Sequence, residues 1–266
     1  MDLNYFVVST PQMQQFFLAL SRILAILVQI PVLGGNTIPT QVRLGFGILT
    51  TMLIFPWQAL PTNTPTLPVV IFGLEIGREI MIGTIAGFTA TLLFSVFQIA
   101  GEMMDLTSGF AAARLINPAF ENAGSPLNQL FYMTAIVIFL ATNGHHSFLL
   151  GVQKTFVLLP LNTSPGFSDH QLNSLASLTS GLITAGVQMS LPLASTMLLT
   201  DLALGLLARV APQIQVFFLG IPLKVGLGLL VLSMALAFLT PAIRELFRSS
   251  AAQTSASAWM LKLLQP

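Results

Sequence analysis

Residues 69–100 read VVIFGLEIGREIMIGTIAGFTATLLFSVFQIA. This run is much longer than the roughly 20 apolar residues that carry a helix across the hydrocarbon core of a bilayer. Three ionisable residues, Glu75, Arg78 and Glu79, lie in its first half. Because a charge at the bilayer centre costs at least about 2.5 kcal/mol on insertion scales, these side chains must face protein, water or lipid head groups. The stretch therefore predicts a helix that packs against other helices and is not one upright span.

The whole chain of 266 residues shares this apolar character. Hydrophobic residues make up 54% of it and charged residues 7%, whereas a typical soluble domain has roughly 25% charged residues. The composition is that of a membrane-embedded protein. The net charge of +1 argues against nucleic-acid binding, which requires a basic patch. Because the chain has no cysteine, disulfides and thiolate chemistry are excluded.

Apolar runs alternate with glycine- and proline-rich breakers along the chain and predict an all-α fold. By hydropathy there are six hydrophobic spans, at residues 16–30, 44–60, 69–100, 130–150, 182–207 and 214–239. Glycine and proline inside these runs favour bent, closely packed helical hairpins over upright helices. The main boundary is expected near residues 159–170, and a more polar tail starts at Arg244.

Isolated charges elsewhere in the apolar runs predict polar contacts between helices or subunits. Arg22 lies inside the first run and Lys224 inside the last. Asp201, Gly205 and Arg209 follow one another at intervals of four residues, which places them on one stripe of a helix. A small residue between two charged ends is typical of a docking face, because a second backbone can approach there. An ordinary contact within one helical bundle is the alternative.

Two further groups of charges have helical spacing. Glu75 and Arg78 are three residues apart and predict an ion pair, whereas Glu79 repels Glu75 at i+4 unless a cation from elsewhere joins it. Glu102 and Asp105 are also three residues apart. They either share a proton, as two close carboxylates can, or contact the polar face of a neighbouring helix. The spacing leaves both interpretations open.

The sequence NGHHS at residues 143–147 holds two adjacent histidines. Adjacent positions of a helix point about 100° apart and are poorly placed to bind one metal ion. The chain has no HExxH, Cys/His or GxSxG pattern. We therefore interpret this stretch as an interfacial turn and expect no catalytic residue, no metal site and no cofactor.

An apolar break, GFAAARLINPAFENAG, occupies residues 109–124. Its Asn-Pro step prevents one regular helix throughout. Irregular backbone at membrane depth is tolerated only inside protein or beside an aqueous cavity, and an apolar constriction can block ions by dewetting. The break is therefore suited to plugging a pore. A loop lying at the membrane interface is the alternative.

Four stretches together resemble the FliR family of flagellar export-gate proteins and their SctT counterparts in virulence secretion. They are GEMMDLTSGFAAARLINP at 101–118, FLATNGHHSFL at 139–149, DLALGLLARVAPQIQVFFLGIPLK at 201–224 and IPTQVRLGFGI at 38–48. The resemblance covers nearly the whole chain. It implies an all-α subunit built from bent helical hairpins and without enzymatic activity.

The resemblance also implies an arrangement in parts and a set of partners. Residues 1–160 resemble FliP and include a plug loop at about 106–122, residues 161–243 resemble FliQ, and residues 244–266 form a polar tail. FliP and FliQ are the expected partners in a helical gate, with FlhB at its base and FlhA nearby. Unfolded flagellar proteins are the expected cargo. The expected location is the bacterial inner membrane at the flagellar basal body, with much of the chain on the periplasmic side.

The resemblance assigns roles to particular residues. The plugging positions are Gly109, Phe110, Leu115, Ile116 and Phe120. The charge of Arg114 within this loop departs from a purely apolar seal. The expected inter-subunit polar contacts are Glu75, Arg78, Glu79, Glu102, Asp105, Asp201, Arg209 and Lys224.

Three alternatives accompany this interpretation. The first is an SctT-type subunit of a virulence export gate. The second is a proton-coupled secondary transporter that uses the Glu102/Asp105 pair and the charges at 75–79 as coupling residues. The third is an intramembrane enzyme that uses His145 or His146.

Overall fold

A computed structural model describes residues 9–34, 38–55, 66–109, 125–161, 169–213 and 215–247. These residues form helices and no strand, which confirms the predicted all-α fold. The helices are α1 Thr10–Gln29, α2 Pro31–Gly34, α3 Thr40–Ile54, α4 Val69–Thr107, α5 Pro126–Ala141, α6 Gly144–Leu158, α7 Asp169–Val210 and α8 Val216–Phe247.

Helix starts follow local sequence signals. Before α1, the backbone N–H of Ser9 donates to the Gln12 side chain at 2.9 Å, one half of a capping box. Before α5, the hydroxyl oxygen of Ser125 accepts from the Asn128 backbone N–H at 3.2 Å, and Pro126 occupies the first helical position. A polar cap satisfies a backbone amide that a helix start leaves unpaired, and a proline at the first helical position removes such a donor.

The run 69–100 lies within α4, a helix of 39 residues. At 1.5 Å per residue it is about 58 Å long, nearly twice the thickness of a bilayer's hydrocarbon core. Its glycines allow α1 to approach closely. A Cβ atom added at Gly83 would lie 2.5 Å from the Arg22 carbonyl oxygen, and one at Gly87 would lie 3.0 Å from that of Ile26. Small residues at such a crossing replace side-chain contact by backbone contact.

In the described part of the chain, three helices are long and apolar enough to cross a membrane: Thr10–Gln29, Val69–Thr107 and Leu175–Val210. The count rises to four if α5 and α6 form one broken span. A turn at Thr142 and Asn143 divides the apolar run 130–150, and it overlaps the turn predicted at residues 143–147. Asn143 has a φ of 57°, a left-handed conformation that asparagine tolerates better than most residues. Shorter apolar helices occupy Thr40–Ile54 and Phe218–Met234.

The structure divides into two compact units. The described residues of the first unit lie within Met1–Thr91 and His146–Leu175. Its core includes Phe16 and Phe55, whose rings meet edge to face at 6.2 Å between centroids.

The second unit takes its described residues from Leu92–His145 and Ala176–Ser255. Within it, the Phe94 ring packs edge to face against Phe139 at 5.4 Å and against Tyr132 at 6.4 Å. The FliP-like and FliQ-like division of the chain stays a prediction.

Candidate functional site

A buried ion pair joins α1 to α4 within the first unit. The Arg22 Nε donates to the Glu79 Oε2 at 2.5 Å, and neither side chain is exposed. The Arg22 Nη1 also donates to the carbonyl oxygens of Thr155 at 3.2 Å and Leu159 at 2.8 Å. The guanidinium carbon lies 4.5 Å from the centroid of the Phe156 ring. Arg22 is therefore the cation that joins Glu79, and it also caps the carbonyl end of α6, where the helix dipole favours positive charge.

Both charges are evident in the sequence, but their pairing is not. Arg22 and Glu79 are 57 positions apart, so no helical spacing connects them. The available signal was indirect, since Glu79 repels Glu75 without a further cation. The structure places the ionic partner of Glu79 within the same chain.

Glu75 and Arg78 form the predicted i, i+3 ion pair, with 2.7 Å between Arg78 Nη1 and Glu75 Oε2. Both side chains keep partial exposure, at 22% and 16%. The remaining Nε and Nη2 atoms of Arg78 are buried and have no hydrogen-bond partner within the part of the chain that is described. Within the described residues, Arg78 thus uses one of its three guanidinium nitrogens as a hydrogen-bond donor.

The two acids near the end of α4 lie in different environments. Glu102 is exposed and accepts a hydrogen bond from the Asn128 side-chain amide at 3.2 Å. Asp105 is fully buried. The contact between α4 and α5 is close at this point, because a Cβ atom added at Gly101 would lie 2.8 Å from the Asn128 backbone nitrogen. Asn128 is a functional candidate that sequence analysis missed.

This contact stands at the base of the apolar break. Gly109 is the first residue of the break and the last one described before Ser125, and it has a φ of 85°, a backbone conformation that glycine adopts freely and residues with a side chain rarely adopt. Ser125 is the first described residue after it. The other predicted plugging residues, Phe110, Leu115, Ile116 and Phe120, lie outside the described residues, as does Arg114.

A second ion pair joins α7 to α8. The Lys224 ammonium contacts the Asp201 carboxylate, and the two side chains are 21% and 55% exposed. Beside the pair lies a cleft of about 250 Å³. Its lining consists of glycines, small or aliphatic residues and the pair itself: Gly109, Asp201, Leu204, Gly205, Ala208, Val216, Gly220, Ile221 and Lys224. The predicted stripe of Asp201, Gly205 and Arg209 is exposed along its whole length.

Large apolar side chains on α7 and α8 are also widely exposed. They include Leu198, Leu199, Leu202, Leu206 and Phe218, each more than half exposed. Large exposed apolar side chains in such number indicate contact with another protein or with lipid. We call the surface formed by these five residues, the cleft and Arg209 the α7–α8 face.

The described residues contain no group of three or more His, Asp and Glu side chains that could hold a metal ion. His145 and His146 lie in the first turn of α6, directly after the turn that ends α5. The structure thus places the two histidines at a helix junction.

Comparison with known proteins decides the family. The model of a protein family described as "Bacterial export proteins, family 1" matches residues 13–250 of this chain. The chain is 32% identical to the flagellar biosynthetic protein FliR of Pectobacterium carotovorum over 88% of each chain. It is 31% identical to the FliR protein of Escherichia coli K12 over 87% of this chain and 88% of the relative. The chain belongs to the FliR family of bacterial export proteins.

A translocation protein is also similar to this chain. The Yop proteins translocation protein T of Yersinia pestis is 30% identical over 82% of this chain and 84% of its own length. The family resemblance expected from the sequence is therefore confirmed. Together with the apolar helices, it makes this FliR-family chain a membrane component of an export apparatus.

Proposed function

We propose that this chain is the FliR subunit of a flagellar type III export gate. With FliP and FliQ it forms the pore through which unfolded flagellar proteins cross the inner membrane, and it catalyses no reaction. The observation that carries the proposal is the match of 238 residues, from 13 to 250, to one export family. The flagellar relatives cited above match over 87% and 88% of this chain.

The exposed surfaces support assembly with other subunits. On the α7–α8 face, a half-exposed ion pair and an open glycine stand among widely exposed leucines. Lipid alone does not suit this face, because an exposed carboxylate in hydrocarbon is costly. A neighbouring helix with a donor near Asp201 and a bulky side chain over Gly205 fits both features. FliP and FliQ are the expected neighbours, with FlhB and FlhA close to the gate.

The α4 surface offers a second place for such contacts. Arg78 has buried donors available for an acceptor, and Glu102 is exposed beside Asn128. We assign these polar groups to subunit contacts as well. The FliP-like part up to residue 160 would then meet FliP, and the FliQ-like part from 161 to 243 would meet FliQ.

The plug is the second element of the proposal. Residues 106–122 close the pore, with Gly109 as the pivot of the loop. Its left-handed backbone and the close Gly101–Asn128 contact support a fixed base for the loop on α4 and α5. The apolar side chains beyond it would exclude ions by dewetting. Much of the chain would stand on the periplasmic side of the inner membrane.

Co-purification and secretion test the function. A tagged copy replaces the chromosomal gene, and flagellin in the culture medium measures export. We expect FliP and FliQ to co-purify with the tagged chain, and deletion of the gene to abolish secreted flagellin. A chain that purifies alone and monodisperse, with flagellin secretion intact in the deletion strain, would contradict the proposal.

The second candidate is an SctT-type gate in virulence secretion, favoured by the 30% identity to the Yop translocation protein T. The same deletion strain separates the two. Loss of virulence-type secretion with normal motility assigns the chain to that branch.

A further inference from the structure

The end of α4 lies against α8 within the second unit. Ser108 and Gly109 directly follow the last residue of α4, and Ser108 is fully buried. A Cβ atom built on Gly109 would lie 3.7 Å from both Cβ and Cδ of Lys224, an ordinary van der Waals distance. A Cβ atom built on Gly228 would lie 3.4 Å from the Ser108 Cβ. Because Lys224 and Gly228 are one helical turn apart, one stripe of α8 contacts both residues.

Helix α7 completes this contact in two layers. In the first layer, Asp201 pairs with the Lys224 ammonium. In the second layer, the Met197 Cε would lie 3.5 Å from the Cβ atom built on Gly228. The spacing of four residues on α7 matches the spacing of four residues on α8, with the two helices antiparallel. In each layer, one residue of α7 and one of α8 thus meet at the end of α4.

The Lys224 side chain spans the cleft between α8 and α7. Its backbone belongs to α8, and its ammonium contacts the Asp201 carboxylate on α7. Between these two ends, its methylene stem passes beside Gly109, which also lines the cleft. A lysine side chain is flexible and adopts many rotamers unless its ammonium is held. The carboxylate of Asp201 therefore selects the rotamer that contacts Gly109.

We propose that Asp201 and Lys224 form a crossbar that holds the end of α4 against α8. Lys224 contacts Gly109 directly, and Asp201 acts through Lys224, so both are positioning residues. Helix α5, which follows the apolar break, also packs against α8. The segments on both sides of the break therefore contact the same helix. The consequence for export rests on the proposed plug, whose base at Gly109 the crossbar would fix.

Disulfide crosslinking measures the contact between α4 and α8, and the absence of cysteine from the chain makes the method specific. Ser108→Cys and Gly228→Cys are introduced together, because 3.4 Å between their Cβ atoms is close to the roughly 3.5–4.5 Å found in disulfides. The complete complex in membranes is treated with a mild oxidant. Mass spectrometry of the linked peptides then gives the initial rate of crosslinking.

Three substitutions test the crossbar in this background. Lys224→Met keeps an apolar stem but removes the ammonium, and Asp201→Asn removes the carboxylate charge. We expect each to lower the initial rate of crosslinking about three- to fivefold, the effect of losing a partly exposed ion pair. Lys224→Arg retains the charge and should keep the original rate. Co-purification of partner subunits verifies that each variant assembles.

A second cysteine pair on α4 and α7 provides the control. A Cβ atom built on Gly186 would lie 3.0 Å from the Ile99 Cβ, and Gly186 is about 22 Å from Asp201 along α7 at 1.5 Å per residue. Crosslinking of Ile99→Cys with Gly186→Cys should therefore proceed at one rate in all the charge variants.

Two crosslinking outcomes would overturn the crossbar. One is an unchanged rate between positions 108 and 228 in both Lys224→Met and Asp201→Asn. The other is an equal fall at the control pair, which would indicate general loosening of the helices.

Ion leak through the membrane separates the crossbar from the plug. Complexes with Lys224→Met should leak more than complexes with Lys224→Arg, and deletion of residues 109–123 provides the reference. A leaking deletion variant beside a tight Lys224→Met variant would refute control of the plug by the crossbar. A deletion variant that stays tight would refute the plug itself, and the crosslinking rates would still decide whether the crossbar holds α4.

Discussion

Arg22 illustrates how one residue can hold three helices together. Its side chain pairs with Glu79 on α4 and caps two carbonyl groups at the end of α6. Because both charges are fully buried, each depends on the other for compensation. Replacing such a pair by two apolar residues is often tolerated, whereas removing one member leaves an unpaired buried charge.

We therefore expect Arg22→Met and Glu79→Leu, made singly, each to lower the free energy of unfolding by about 3–5 kcal/mol. The double variant should lose far less than the sum. Thermal unfolding of the detergent-solubilised complex measures this double-mutant cycle. Additive losses would contradict the pairing.

Glu75→Gln provides the control on the same helix. Its partly exposed pair with Arg78 should contribute only about 0–1 kcal/mol. If Glu75→Gln lowered the free energy of unfolding as much as Glu79→Leu, burial of an ion pair would not determine its contribution to stability.

At the scale of elements, the close contact between α1 and α4 holds two helices together. Gly83→Leu should separate the two helices, because its Cβ atom would lie 2.5 Å from the Arg22 carbonyl oxygen. Gly77→Leu adds the same side chain into open space and should keep or slightly raise helix stability, since leucine is a better helix former. Expression level and protease resistance of membrane preparations compare the two. Equal protease resistance would exclude a close α1–α4 crossing.

The α7–α8 pair tests assembly through charge. Asp201→Lys should place two cations together and weaken co-purification of partner subunits several-fold. Adding Lys224→Asp restores the pair within the chain but reverses the exposed charge. If a partner recognises the exposed Asp201, the double variant stays defective in co-purification. Full recovery would show that the pair acts only within the chain.

At the scale of the whole molecule, we propose that the plug loop holds back ions when the gate is closed. Removal of residues 109–123 should make membranes leak when the gate subunits are expressed together, because the apolar constriction is lost. Growth inhibition in high salt and uptake of a small fluorescent solute measure the leak. The control for loop length replaces residues 109–123 with a glycine-serine sequence of the same length. This variant removes the apolar side chains without shortening the loop. An unchanged leak in both variants would refute the plug.

Much of the fold was predictable because hydrophobic periodicity and chain breakers are local properties. The long helix through 69–100, the all-α class and the Glu75–Arg78 pair all follow from spacing along one helix. The stretch NGHHS predicted a turn at residues 143–147, whereas hydropathy alone indicated one run across 130–150, because apolar residues continue on both sides of Asn143. The contact of Asn128 with Glu102 was not predicted, since it joins two helices across the apolar break.

The sequence by itself determined the membrane class, the helical fold and the family, because composition and motifs are properties of the sequence and do not depend on how the helices pack. Only the tertiary structure decided which charges meet. Arg22 and Glu79 pair across 57 positions, and Lys224 meets Asp201 from a different helix. The physical reason is that an isolated charge in an apolar run requires compensation, while its partner depends on how the helices pack.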